Sequence, residues 1–265
     1  MPRIFISPSL LESGQGGEPF ELDHETSKKL TRVLRLTSGE TFIAFDGFGR
    51  EWECALVLPE ADENGYRPKW ARAVILEERE VTHEALLQLS VAQAIPKGDK
   101  MDLVLQKGTE LGVVEFWPFE AERSIAKMME DDAERAGNRA ERWRRIVAGA
   151  AAQCGRADVP IVHAISDFAT TVAHGTNGSR CFMLDEGADA EPFRTALLRE
   201  PLDDASGAPR VMLLVGPEGG WSQREREWAE RYGAEPIGLG RRILRTETAA
   251  LVAATILQWQ VGALG

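Results

Sequence analysis

The sequence is poor in cysteine and histidine. Its 265 residues hold three cysteines, Cys54, Cys154 and Cys181, odd in number and far apart. That spacing argues against a disulfide framework and against a zinc site, which needs closely paired ligands. The four histidines, His24, His83, His163 and His174, are equally scattered and read as structural or surface residues. Long apolar runs are also missing. The longest, Ala249 to Leu257, falls far short of the ~20 residues a membrane span requires. The stretch Met1 to Pro8 has no continuous apolar segment of the signal-peptide kind, so the cytoplasm is the expected location.

A surplus of positive charge is lacking as well: the net charge is −11. A globally acidic chain repels phosphates, yet a local patch can still set the field in a cleft. Three basic clusters exist. Lys28, Lys29, Arg32 and Arg35 form one, Arg139, Arg142, Arg144, Arg145 and Arg156 a second, and Arg241, Arg242 and Arg245 a third. Each alone is compatible with a solvated face; the three together point to phosphate contact. Three motifs are absent. Without G-x-x-x-x-G-K-[ST] there is no P-loop nucleotidase. Gly238-Leu239-Gly240 does not continue into G-x-G-x-x-G, so the dinucleotide fold is unsupported. Without G-x-S-x-G there is no serine-hydrolase elbow.

Residues 1 to about 75 read as β-rich. Thr41–Phe45, a glycine-containing turn and Glu51–Leu58 spell strand, turn, strand, and Arg72–Leu76 reads as another strand. The charged stretch Glu77–Glu80 marks a boundary, giving domains of 1–76 and 77–265. Beyond it, strand candidates at Leu86–Ala92, Val113–Trp117, Cys181–Leu184 and Val211–Val215 alternate with helical spacing. Trp143, Ile146, Val147, Ala150 and Cys154 fall on one helical face. This alternation predicts an α/β fold with a parallel sheet covered on both faces.

Two stretches concentrate chemistry. Leu213-Leu214-Val215 runs into Gly216-Pro217-Glu218-Gly219-Gly220, a bend whose glycines let a ligand approach the main chain. Ser222 and Glu225 then have capping-box spacing for a helix. Ligands of open α/β sheets bind beyond strand carboxyl ends, where such bends lie. The second stretch, Ile237 to Ala250, leads a short glycine-containing strand into an arginine-rich loop. An apolar helix then runs to about Gln260, with Thr246 as its expected cap and Glu247 favourable in its first turn. The bland readings are a plain turn and a capped core helix.

Taken together, these stretches resemble the RsmE family of ribosomal RNA methyltransferases, within the SPOUT superfamily. The resemblance covers nearly the whole chain. It runs through Arg32-Val33-Leu34-Arg35, Phe45-Asp46-Gly47, Lys100-Met101, Gln106–Val113, Glu122-Arg123-Ser124 and Gln153-Cys154-Gly155-Arg156. It ends with Gly216–Gly220 and Leu244–Ala249. Ala152 departs from it, standing where the family often has Glu.

The resemblance implies a small N-terminal PUA-like β-barrel that docks RNA and a C-terminal SPOUT-type α/β domain with a trefoil knot. It also implies a homodimer and methylation of uracil N3 in small-subunit (16S) ribosomal RNA with S-adenosyl-L-methionine as cofactor. No metal is implied. The cofactor would contact Leu184, Leu214, Gly216, Pro217, Gly219, Leu239, Gly240, Ile243, Leu244, Thr248 and Ala249. Arg245 would stabilise charge on the uracil as its N3 proton leaves, with Glu218 or Glu247 as base or as a binder of backbone or ribose. Lys28, Arg32, Arg35, Arg123 and Arg156 would grip RNA. Two rival readings are a ribosome-binding factor without catalysis and the same fold acting on another RNA target. Pure docking does not require two glycine-lined loops.

Overall fold

Alternating burial shapes the first part of the chain. Along Glu51–Val57, Trp52, Cys54 and Leu56 point inward while Glu53, Ala55 and Val57 are half-buried, the period-2 pattern of a one-sided strand. The computed structural model describes residues 1–14, 16–60, 70–81, 85–124, 133–187, 190–202 and 207–264. His83 lies outside the described residues. Internal contacts separate two units: Met1–His83 with Ala148–Val159, and Glu84–Val147 with Pro160–Gly265.

The first unit contains β1 (Arg3–Phe5), α1 (Pro8–Ser13), β2 (Phe20–Glu21), α2 (His24–Lys28), β3 (Thr41–Phe45), β4 (Glu51–Val57) and β5 (Arg72–Arg79). A π-helical turn, Lys29–Val33, continues α2. The five strands form one sheet in the order β1-β3-β4-β5-β2. Strand β1 runs parallel to β3, and the other pairings are antiparallel. Phe20, Leu22, Leu30, Phe42, Trp52 and Leu56 pack into its core.

The boundary expected after residue 76 falls inside β5. Glu77, Glu78 and Arg79 are strand residues: Glu51 stands opposite Arg79, and Glu78 accepts from Arg50 at 3.0 Å. The charges decorate an exposed strand end instead of marking a linker. The assignment of 148–159 to this unit is a tertiary fact that local patterning does not carry.

The second unit is built on a parallel sheet. Its elements are β6 (Gln88–Ala94), α3 (Lys100–Glu110), β7 (Val113–Glu120), α4 (Ala133–Cys154, whose last turns belong to the first unit), β8 (Ile161–Val162), β9 (Ser166–Asp167) and α5 (Phe168–Gly175). There follow β10 (Arg180–Leu184), β11 (Glu191–Pro192), α6 (Phe193–Arg199), β12 (Arg210–Val215), α7 (Gln223–Arg231), β13 (Glu235–Gly238) and α8 (Thr246–Gln260). The strand order is β11-β13-β10-β12-β6-β7-β8, with β9 also on β7. Cys181–Leu184 and Val211–Val215 are buried throughout, as expected for strands covered on both faces. In α4, Trp143, Val147 and Ala150 are buried, whereas Cys154, at the helix end, is exposed.

Strands β10, β12 and β13 are neighbours and parallel. Their carboxyl ends therefore open on one side of the sheet. The loops that leave them carry both glycine-rich stretches.

Candidate active site

A cavity of about 330 Å³ lies beyond those three strand ends. Its apolar wall includes Leu184, Val215, Ile237, Leu239, Leu244 and Ala249, and its charged groups are Asp185, Glu186, Glu218, Arg242 and Arg245.

The loop after β12 is shaped from beneath by Trp221, which is 2% exposed. Its indole nitrogen donates to the carbonyl oxygen of Leu184 at 2.8 Å, the polar partner a buried tryptophan needs. A Cβ at Gly216 would sit 2.9 Å from Trp221 Cε2, so the bend closes over the indole only with glycine there. The following helix α7 starts at Ser222, whose hydroxyl accepts from Glu225 N at 3.1 Å while Glu225 accepts from Ser222 N at 2.8 Å. Both halves of the capping box are formed.

The loop after β10 is held by a charge pair. Arg226 donates to both carboxylate oxygens of Asp185, at 2.7 and 2.9 Å. The guanidinium hydrogen bond holds the Asp185 carboxyl below the usual carboxylate range despite its burial. Arg226 also donates to the carbonyl of Trp221 at 3.0 Å, joining the loops after β10 and β12. After β13, Gly240 adopts φ +114° with open space where a Cβ would stand.

The start of α8 departs from expectation. Arg245 is the N-cap residue and makes no side-chain cap. Thr246 turns inward instead, because a better use exists for its hydroxyl. It donates to the carbonyl of Gly216 at 2.7 Å and accepts from Gln93 Nε2 at 2.8 Å. Gln93, on β6, is fully buried.

Lys100 sits between two carboxylates, 2.8 Å from Glu218 and 3.6 Å from Glu247. Burial pushes the Glu218 carboxyl up, but hydrogen bonds from Lys100 and from the Lys97 amide outweigh it and leave it below the ordinary range. Glu247 is 7% exposed, and one of its oxygens has no hydrogen-bond partner among the described residues.

A family model of the RNA methyltransferase domain matches residues 83–258. Ribosomal RNA small subunit methyltransferase E of Bacillus subtilis is 30% identical over 98% of this chain and 97% of its own length. The Synechocystis protein of that name is 33% identical over 84% of this chain and 67% of its own. The chain belongs to the ribosomal RNA small subunit methyltransferase E family. Among solved structures, the enzyme of that name from Neisseria gonorrhoeae, bound to S-adenosyl methionine, superposes with a TM-score of 0.79. It is 31% identical and aligns over 98% of this chain and 97% of that one.

The geometry sorts the residues that the sequence singles out. Leu184, Gly216, Pro217, Glu218, Leu239, Gly240, Ile243, Leu244, Arg245 and Ala249 line one cavity. Leu214, Gly219, Glu247 and Thr248 are outside its lining. Leu214 is fully buried in β12, and Thr248 is exposed on α8. Gly219 faces protein: a Cβ there would meet Arg123 Cβ at 3.1 Å and its carbonyl oxygen at 3.2 Å. Arg123 in turn donates to the Gly219 carbonyl at 3.3 Å. In the first unit, Lys28, Arg32 and Arg35 are exposed along α2 and the turn after it. Arg156 is tied to Asp158 at 2.5 Å and its side chain is only 15% exposed.

Sequence reasoning missed Trp221, Asp185, Arg226, Gln93 and the inward role of Thr246. A buried tryptophan directly after Gly219-Gly220 was the one local signal available. The other partners are long-range.

Proposed function

We infer that the protein transfers the methyl group of S-adenosyl-L-methionine to N3 of a uracil in small-subunit ribosomal RNA. The observation that carries this reading is the convergence of the three strand-end loops on one cavity in a chain of this family. The lining fits the cofactor. Bare backbone at Gly240 permits close approach, apolar side chains suit an adenine, and Asp185, Glu186 and Glu218 suit a positively charged ligand. Leu214, buried in β12, lies behind this wall, whereas Thr248 is exposed on α8 and does not reach it.

When bound, the cofactor supplies an activated methyl on a sulfonium. The protein's task is then alignment and control of charge. Arg245, exposed at the cavity and at the head of α8, is placed to donate to a uracil carbonyl oxygen as negative charge develops on the ring. Glu218 is a poor proton acceptor, since it is already bonded to Lys100 and held ionised. We assign Glu218 and Glu247 to holding Lys100 between loop and helix. Lys28, Arg32, Arg35 and Arg123 contact phosphates, and Arg156 braces Asp158.

The finer architecture belongs to the same reading. The open five-stranded sheet of residues 1–83 suits a PUA-like RNA-docking domain, and the second unit a SPOUT-type domain. The chain path supports a trefoil knot: β13 lies beyond β10, yet α8 returns to pack on β12 and β6. Exposed Leu103 on α3 and Trp259 on α8, helices that pack together, offer apolar surface to a second copy in a homodimer. Among the described residues no helix is long and apolar enough to cross a membrane. A ribosomal substrate suits work in the cytoplasm.

A thermal-shift titration tests the cofactor assignment. A ligand selective for the folded state must raise the melting temperature, by an amount that grows with its concentration. No shift with S-adenosylmethionine at millimolar concentration refutes the assignment.

A further inference from the structure

Phe48 is 81% exposed. It stands at the tip of the hairpin joining β3 to β4, between Gly47 at φ +82° and Gly49 at φ +97°. A single exposed apolar residue needs no explanation. What sets this one apart is how rigidly its backbone is held.

Asp46 is 6% exposed, an unusual place for a carboxylate. Its Oδ1 accepts from the backbone nitrogen of Phe48 at 2.7 Å and from that of Arg50 at 3.1 Å. Asp46 N donates to the Arg50 carbonyl at 3.2 Å, closing the loop from the other side. The segment 157–159 straps the tip down. Gly49 N donates to the Ala157 carbonyl at 3.3 Å, Val159 N donates to the Gly47 carbonyl at 2.9 Å, and Gly47 and Phe48 both form bridges with Asp158. Asp158 is itself fixed by Arg156. Under the tip, a Cβ on Gly47 would meet Phe5 at 3.0 Å and Val159 at 3.2 Å.

A buried carboxylate is costly to keep unless it is hydrogen-bonded. Here that carboxylate serves to fix the backbone of an aromatic ring that packs on little. The loop that carries the ring is ordered before any partner arrives, which lowers the entropy cost of binding. The nearby charges are largely paired, Arg50 with Glu78 and Arg156 with Asp158. The tip therefore offers a π face and little net charge.

We propose that Phe48 is a stacking finger for an unpaired base of the substrate RNA, a contact that supplies affinity without touching phosphate. This rests on the RNA substrate given under the proposed function.

The test compares full-length wild type with F48A, F48L and F48W. Each is titrated against small-subunit ribosomal RNA, naked and in isolated subunits, over a range of salt. Expected is about tenfold weaker binding for F48A and F48L, near-native binding for F48W, and an unchanged slope of log affinity on log salt. An exposed site predicts unchanged melting temperatures and unchanged cofactor affinity. The proposal is overturned if F48A binds both substrates like wild type. It is overturned equally if F48L restores affinity, which marks a merely apolar contact. A loss seen only with subunits, and abolished when their proteins are stripped away, assigns the finger to a ribosomal protein instead. Failure of the wild type itself to methylate either substrate strikes the proposed function, a separate outcome.

Discussion

Thr246 donates its hydroxyl hydrogen to the carbonyl oxygen of Gly216 at 2.7 Å, so the first residue of α8 is fastened to the first residue of the glycine bend. Gln93 completes the chain from the neighbouring strand. One hydroxyl thus ties strand β6, helix α8 and a wall of the cavity. Valine has nearly the shape of threonine but no hydroxyl. T246V should lose about 1–2 kcal/mol of stability and weaken S-adenosylmethionine binding about tenfold. T246S, which keeps the oxygen, should bind within about twofold of wild type on the same scale. Calorimetry on the three proteins checks this, and equal affinities would remove Thr246 from any role in shaping the loop.

Two glycines in the same bend should behave differently. Alanine at Gly216 drives a methyl to 2.9 Å from the Trp221 ring, and that ring is pinned to Leu184. Either the loop or the indole must move, so G216A should weaken cofactor binding at least tenfold and lower the melting temperature. Alanine at Gly219 meets Arg123 at 3.1–3.2 Å and points away from the cavity. G219A should leave cofactor affinity within about threefold of wild type, roughly half a decade. A greater loss for G219A than for G216A would contradict this orientation of the bend.

Much of this was legible in the chain and some was not. The strand Val211–Val215, the bend after it and the Ser222/Glu225 cap are all local, and local pattern carries them. The Thr246 cap is where local reasoning misleads. A threonine before an apolar helix is a normal cap, but a buried glutamine 153 residues earlier in the chain competes for its hydroxyl. The same limit hides Asp185 and Arg226, 41 residues apart, and the membership of 148–159 in the first unit. The break expected at Glu77–Glu80 falls on the end of β5, shortly before the division at His83/Glu84, for another reason. Charged residues at the exposed end of a strand look like a linker in sequence, yet they carry cross-strand pairs.

Acid should reveal the Asp185–Arg226 pair. The folded-state pKa of Asp185 is depressed, chiefly by the Arg226 hydrogen bond. Its stabilisation is therefore present above the ordinary aspartate range, ~3.9, and is lost as pH falls through the lower folded value. D185N should be less stable than wild type by about 2 kcal/mol near neutrality. The gap should close as pH drops from about 5 towards 3. Urea titrations across that range measure it. A gap independent of pH would mean that the pair contributes through shape and not through charge.

Arg245 and Glu218 separate chemistry from architecture. R245A should slow methyl transfer about 10²–10³-fold and leave cofactor affinity nearly unchanged, as read from single-turnover rates beside calorimetry. Equal losses in the two measurements would refute a role for Arg245 confined to the transition state. E218Q should slow transfer less than about tenfold without altering the pH–rate profile, because a general base contributes about 10²–10⁴-fold. A larger loss with a shifted profile would make Glu218 the base.

The cavity beyond β10, β12 and β13 should deliver a methyl group to N3 of a uracil in small-subunit ribosomal RNA. Nucleoside mass spectrometry after incubating the protein with unmodified small-subunit RNA or subunits and S-adenosylmethionine tests it most directly. One 3-methyluridine per RNA is expected, formed by the wild type and nearly absent with R245A. RNA that stays unmethylated, or that carries its new methyl on a ribose oxygen, would contradict it.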